Sequence, residues 1–179
     1  MEVPFPDSYW VEPGLLLAGE YPSELSPELT RLRLRRMLDL GIRQFIDLTQ
    51  PELTQSRPYR DALAEVAQEM GVKDTIIFNY PIPDLEIPAR DLMRSILDTL
   101  DKAVSGKFPI YVHCWAGIGR TGTVVGCYLV RHGMTGDQAL EHIQRLRANV
   151  PGFWYGSPET SAQRDYVRTW VEPGKFPKP

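Results

Sequence analysis

The chain has three histidines and two cysteines in 179 residues. His132 and His142 lack metal-ligand spacing, so neither a metal site nor a cofactor is expected. There is no run of about 18 apolar residues of the kind that crosses a membrane. The opening Met1-Glu2-Val3-Pro4 has neither the basic nor the apolar region of a signal peptide, so a cytoplasmic location is expected. Positive charge is not in excess: 20 Lys and Arg stand against 23 Asp and Glu, a net charge of −3. That balance gives no general attraction to nucleic acid or to an anionic membrane, and neither is expected as a partner. Repeats, low-complexity tracts and internal linkers are also missing. The simplest organisation is one domain over residues 1–179 acting as a monomer, with a core from about 10 to 171. With 42% hydrophobic and 24% charged residues, the composition is that of an ordinary globular protein.

What is present is an alternation of strand and helix signals between two ends, 1–14 and 172–179, that are rich in proline and glycine and read as extended. Leu15–Ala18 is a short apolar strand. Ser26-Pro27 opens a helix to Leu40, a capping serine before proline at the first helical position, with Gly41 as its stop. A strand is expected at Arg43–Leu48, a helix at Pro58–Met70 and a strand at Thr75–Asn79. A helix follows at Ala89–Val104, with Leu92, Ile96, Leu97 and Leu100 at helical spacing. Phe108–Val112 is the next strand and Thr123–Arg131 the helix after it. Thr135 caps a helix to Ala148, and a last helix begins near Pro158. Strands separated by helices predict an α/β fold, a central and mainly parallel sheet with helices on both faces. Ligands in such sheets bind at the carboxyl ends of the strands.

One such end carries the chemistry. His113-Cys114-Trp115-Ala116-Gly117-Ile118-Gly119-Arg120-Thr121-Gly122 follows a strand and precedes a helix. A strand, a tight loop and a helix N-terminus form an anion cradle, because unpaired backbone N–H groups and the positive end of the helix dipole converge on one point. A cysteine in that cradle is expected to be a thiolate, and therefore a nucleophile. Arg120 offers a planar fork matched to two phosphate oxygens, which lysine does not. Gly117 and Gly119 let the backbone of residues 115–120 close around a phosphate without Cβ clashes. The Thr121 hydroxyl is placed to bond the cysteine sulfur and ease its departure from phosphorus. His113, next to Cys114 on a strand, points to the opposite side and is expected to orient the loop. The chemistry these residues suit is cysteine-based hydrolysis of a phosphate ester.

Cys-x5-Arg alone is a weak signal, but together with His113, Gly117, Gly119 and Thr121 it resembles the His-Cys-x5-Arg-Ser/Thr signature of the protein tyrosine phosphatase superfamily. That resemblance implies a phosphocysteine intermediate and a general acid on a loop upstream of the cysteine, since the leaving oxygen needs a proton. Tyr80-Pro81-Ile82-Pro83-Asp84-Leu85-Glu86-Ile87-Pro88 looks like that loop, with Asp84 as the acid and Glu86 as its competitor. Ser157-Pro158-Glu159-Thr160-Ser161-Ala162-Gln163 is similar to a late segment of the superfamily. Gln163 then either positions the hydrolytic water or belongs to an ordinary helix start with a capping serine.

The short chain resembles the compact dual-specificity phosphatases, and no insert resembles the phosphotyrosine-recognition loop of the larger enzymes. The implied substrates are phosphotyrosine monoesters, with phosphoserine and phosphothreonine as further candidates, on a phosphorylated protein or a small aryl phosphate. Two alternatives stand beside this: a phosphoinositide or inositol phosphate phosphatase, and a pseudophosphatase that binds a phospho-ligand without turnover. Lipid-directed members often place lysines inside the loop, where this chain has Trp115 and Ile118, and Trp115 either narrows or stacks on the entrance. Phe153, Trp154 and Tyr155 either line the rim of the pocket or pack. Asp47 is expected to be structural. Arg31, Arg33, Arg35 and Arg36 are expected to lie solvated around their helix. Cys127, about 10 Å along the helix from Arg120, is expected to be a core thiol unable to pair with Cys114.

Overall fold

The computed structural model describes residues 2–54, 58–152 and 154–172. Its five strands are β1 (Ser8–Glu12), β2 (Leu16–Gly19), β3 (Gln44–Asp47), β4 (Ile76–Asn79) and β5 (Ile110–His113). They form one sheet in the order β1-β2-β5-β3-β4. β2, β3 and β4 run parallel to their neighbours around β5, and β1 pairs antiparallel with β2. The expected α/β architecture is therefore present. β1 is a correction: it lies in the stretch read as an extended end, where short alternation near Pro4 and Pro6 hid a strand that β2 recruits through Ser8↔Gly19 and Tyr9↔Ala18.

The described helices are α1 (Pro27–Asp39), α2 (Pro51–Thr54), α3 (Arg60–Glu69), α4 (Arg90–Ser105), α5 (Gly119–Arg131), α6 (Gly136–Leu146) and α7 (Ser161–Arg168). α1 begins as its sequence suggests, with the Ser26 hydroxyl accepting from Leu29 N–H. The single turn α2 was not foreseen. The last helix starts three residues beyond the expected Pro158. Thr160, not Ser157, is its cap, paired with Gln163 in a capping box.

The sheet separates two cores. On one face Leu34, Met37 and Leu38 of α1 and Leu63 and Val66 of α3 pack with Leu17, Phe45 and Tyr111. On the other, α4 through α7 pack on Leu16, Ala18, Ile46, Ile110 and Val112. Each fully buried aliphatic side chain contributes about 1.5–3 kcal/mol. Strand parity divides β5 between the two cores: Ile110, Val112 and Cys114 face the α4–α7 layer, while Tyr111 faces α1 and α3. α5 is buried along most of its length, at the centre of its layer.

Of the four arginines of α1, Arg35 and Arg36 are exposed as expected, while Arg31 and Arg33 are partly buried. Arg31 and Arg35 pair with Glu65 and Glu69 across to α3. Arg33 is mostly buried, with its guanidinium 4.5 Å from the centre of the Phe5 ring, and pairs with Glu20 and Glu24. Burial raises the Glu20 carboxyl above its ordinary value, with Arg33 opposing that shift. Among the described residues no helix is long and apolar enough to cross a membrane.

Candidate active site

β5 ends at His113, so Cys114 falls at the carboxyl edge of the sheet, flanked by the ends of β2 and β3. Five residues later α5 begins, and its N-cap, Ile118, supplies no side-chain bond to the first turn. The amides of that turn are left for an anion rather than for a capping side chain. Gly117 has φ +68°, and a Cβ there would lie 2.4 Å from the Gly19 carbonyl carbon, so both its conformation and its contact require glycine. A Cβ at Gly119 would meet the Gln163 amide at 3.0–3.1 Å. The loop is braced from outside by Tyr21 N–H on the Trp115 carbonyl (2.9 Å) and by the Ser157 hydroxyl on the Ile118 carbonyl (2.8 Å). Ser157 thus serves the loop rather than the helix.

Arg120 is 2% exposed. Its Nη1 donates to the Ile82 carbonyl at 3.1 Å, and its Nη2 lies 2.7 Å from Asp84 Oδ1. The structure therefore brings Asp84 to the arginine of the cradle from the loop between β4 and α4. Its competitor Glu86 presents an exposed carboxylate that pairs with none of the described residues, and only its backbone is engaged, the N–H on the Pro83 carbonyl and the carbonyl on Gln163. Leu85, between them, has φ +63°, the tight turn that separates the two acids.

His113 points away from Cys114, as expected, and is fully buried. Its Nδ1 contacts the Cys114 carbonyl at 3.2 Å and its Nε2 the Tyr59 hydroxyl at 3.0 Å. A carbonyl only accepts, so Nδ1 carries the proton and Tyr59 donates to Nε2. Burial lowers the His113 pKa, and Asp47, 4.0 Å away, offsets part of that. Asp47 is structural, its Oδ1 accepting from both the backbone N–H and the hydroxyl of Thr49. Tyr59 was missed: it opens α3 without any sequence signal linking it to His113, 54 residues on.

The remaining candidates divide. Thr121 is buried, and among the described residues its hydroxyl bonds the Gly19 carbonyl, at 3.5 Å, rather than the Cys114 sulfur. Trp115 stacks on Tyr21, ring centres 5.4 Å apart. Trp154 and Tyr155 are exposed at 71% and 63%, so they do not pack into a core; Phe153 lies outside the described residues. Cys127 is a buried free thiol whose pKa burial raises, unpaired with Cys114.

Comparison with known proteins agrees with this geometry. Residues 6–164 match the family model described as "Swiss Army Knife protein, DSP-PTPase phosphatase domain". The chain is similar to dual specificity protein phosphatase CDC14B of Mus musculus, 38% identical over 95 residues that cover 52% of this chain and 18% of the relative. It is also similar to phosphatidylglycerophosphate phosphatase PTPMT2 of Arabidopsis thaliana, 42% identical over 92 residues that cover 46% of this chain and 40% of the relative. The chain thus spans well under half the length of these relatives. In three dimensions it resembles kinase-associated phosphatase with its catalytic cysteine replaced by serine, at a TM-score of 0.69, 18% identity and 90% of each chain covered. A loop carrying Cys114 at the end of β5, a buried arginine in it and a family match over most of the chain agree: this is a member of the dual-specificity, cysteine-based protein tyrosine phosphatase superfamily.

Proposed function

We propose that the chain is a phosphomonoesterase that hydrolyses phosphotyrosine, and phosphoserine or phosphothreonine beside it, through a phosphocysteine intermediate. The observation that carries this reading is the meeting of Asp84 with Arg120 at the loop that starts with Cys114. It supplies the acid, the phosphate-binding fork and the nucleophile that the reaction needs. Cys114 Sγ attacks phosphorus while Arg120 and the loop amides hold the equatorial oxygens, whose charge grows as the ester bond breaks. Asp84 gives its proton to the leaving oxygen, then receives one from the water that frees the sulfur. The Thr121 hydroxyl would assist that departure by bonding the sulfur in place of the Gly19 carbonyl. This chemistry needs Cys114 reduced, as a cytoplasmic location would keep it.

A second reading, a lipid or inositol phosphate substrate, is supported by the likeness to a phosphatidylglycerophosphate phosphatase. Against it stand the five loop positions Trp115 to Gly119, which carry no lysine, and the net charge of −3. The test is phosphate release, with chelator present, from p-nitrophenyl phosphate, phosphotyrosine, phosphoserine and phosphothreonine peptides, inositol phosphates and phosphatidylglycerophosphate, for wild type and Cys114→Ser. Release that needs Cys114 and is fastest on phosphotyrosine peptides is expected. Faster release from the inositol or glycerol phosphates selects the second reading. Phosphopeptide binding without release from any of them makes the chain a pseudophosphatase.

A further inference from the structure

The acid loop, residues 81–88, is fastened on both sides of Asp84. On the near side the Ile82 N–H donates to the Leu48 carbonyl at 3.0 Å, and its carbonyl accepts from Arg120. On the far side the Glu86 carbonyl accepts from Gln163 Nε2 at 3.2 Å. Gln163 is fully buried at the start of α7. Its Oε1 accepts from the backbone N–H groups of Glu159 and Thr160, each at 3.1 Å. Those two donors require an oxygen, and the Glu86 carbonyl requires a donor, so the partners themselves orient the amide. Both lone-pair sites of Oε1 and one of the two Nε2 hydrogens are thereby committed to backbone groups, which fixes the side chain between α7 and the acid loop.

The two fastenings respond differently to substrate. A bound phosphate takes the Arg120 fork, and the contact between Arg120 and Asp84 has to give way. The Gln163 bond to Glu86 involves no group that phosphate uses. Between Asp84 and Glu86 lies only Leu85, in a turn closed by Glu86 N–H on the Pro83 carbonyl at 3.2 Å. Holding Glu86 therefore holds Asp84.

We propose that Gln163 is a positioning residue for the general acid, keeping Asp84 at the cradle after phosphate has displaced it from Arg120. This rests on the reading of Asp84 as the acid. In the step it serves, the sulfur–phosphorus bond forms as the phosphorus–oxygen ester bond breaks. The bonding pair leaves with the oxygen, and the Asp84 proton follows it.

The test is kcat/KM across aryl phosphates, from p-nitrophenyl phosphate to phenyl phosphate, for wild type, Asp84→Asn, Gln163→Glu, Gln163→Leu and Thr160→Ala. Glutamate at 163 keeps an acceptor for the Glu159 and Thr160 amides, as in a common capping box, and gives up the amide donor to Glu86. General acid catalysis contributes about 10²–10⁴-fold, so partial misplacement is expected to cost Gln163→Glu about tenfold more on phenyl than on p-nitrophenyl phosphate. The fall in kcat/KM at high pH that a general acid produces on losing its proton should flatten as well. Thr160→Ala weakens the helix cap and leaves the bond to Glu86 in place. It should lower the melting temperature without steepening the leaving-group dependence. The inference is overturned if Asp84→Asn steepens that dependence while both Gln163 variants keep the wild-type slope, or if Thr160→Ala steepens it equally. If Asp84→Asn itself leaves the slope unchanged, the acid is not Asp84 and the underlying reading falls first.

Discussion

Asp84 Oδ1 stands 2.7 Å from Arg120 Nη2, a carboxylate resting on the guanidinium proposed to hold the substrate phosphate. The arginine is buried and the aspartate side chain is 60% exposed, so water screens the pair from one side. The contact competes with phosphate, and at that exposure it competes weakly.

Asp84→Asn is therefore expected to do two opposite things. Turnover on esters with poor leaving groups falls by about 10²–10⁴-fold with the loss of the acid. Inorganic phosphate binds more tightly, by at most about fivefold, since exposed ion pairs contribute about 0.2–1 kcal/mol. Competitive inhibition by phosphate measures the second effect, and unchanged or weaker inhibition would show that the two anions do not compete.

Arg120→Lys retains the charge and loses the fork. Arg120 serves the Ile82 carbonyl with one nitrogen and Asp84 with the other. A point charge on a flexible stem reproduces neither geometry. A fall in kcat/KM of about 10²–10³-fold is expected, the size found on removing one donor to a developing oxyanion. Steady-state kinetics on p-nitrophenyl phosphate measure it, and a loss below tenfold contradicts the role assigned to the fork.

Tyr59→Phe removes the donor to His113 Nε2 and leaves a buried ring nitrogen unsatisfied. The cost expected is about 1–3 kcal/mol in unfolding free energy. Urea denaturation reports it directly. A variant as stable as wild type would mean that the hydroxyl is not His113's partner.

His113 also makes stability depend on pH. Its folded pKa lies below the ordinary histidine value of 6.5, because burial disfavours the charged ring. Above that value the ring is neutral in both states and folding pays nothing. Below it the unfolded chain takes up a proton that the folded chain resists, so stability drops as pH falls from about 6.5 toward 5. Unfolding free energies at several pH values should show this slope, and His113→Gln should reduce it. Equal slopes in the two proteins would place the titration elsewhere.

Much of the site was legible because its chemistry is local in sequence. Cys114 to Thr121 form one strand–loop–helix segment, and a capping serine, stop glycines and helical spacing marked most elements to within a few residues. The contacts that were not legible join distant segments. Nothing about Tyr59 forecasts a bond to His113, and nothing about Ser157, which looked like a helix cap, forecasts that it braces Ile118. Arg33 looked like one charge among four on a solvated face. Phe5, from a stretch without strand character of its own, covers it. β1 was hidden for the same reason, since a strand of five residues between prolines depends on its neighbour for half its hydrogen bonds.

The parity of β5 has a consequence for inheritance of change. Alternate residues of that one strand answer to different cores, so the nucleophile is under two independent jurisdictions. Substitutions in the α1 and α3 layer reach its main chain, through Tyr59, His113 and the carbonyl of Cys114. Substitutions among α4 to α7 reach its thiol, which packs in their core. Drift in one layer can retune how the loop is held while the surroundings of the sulfur stay as they were.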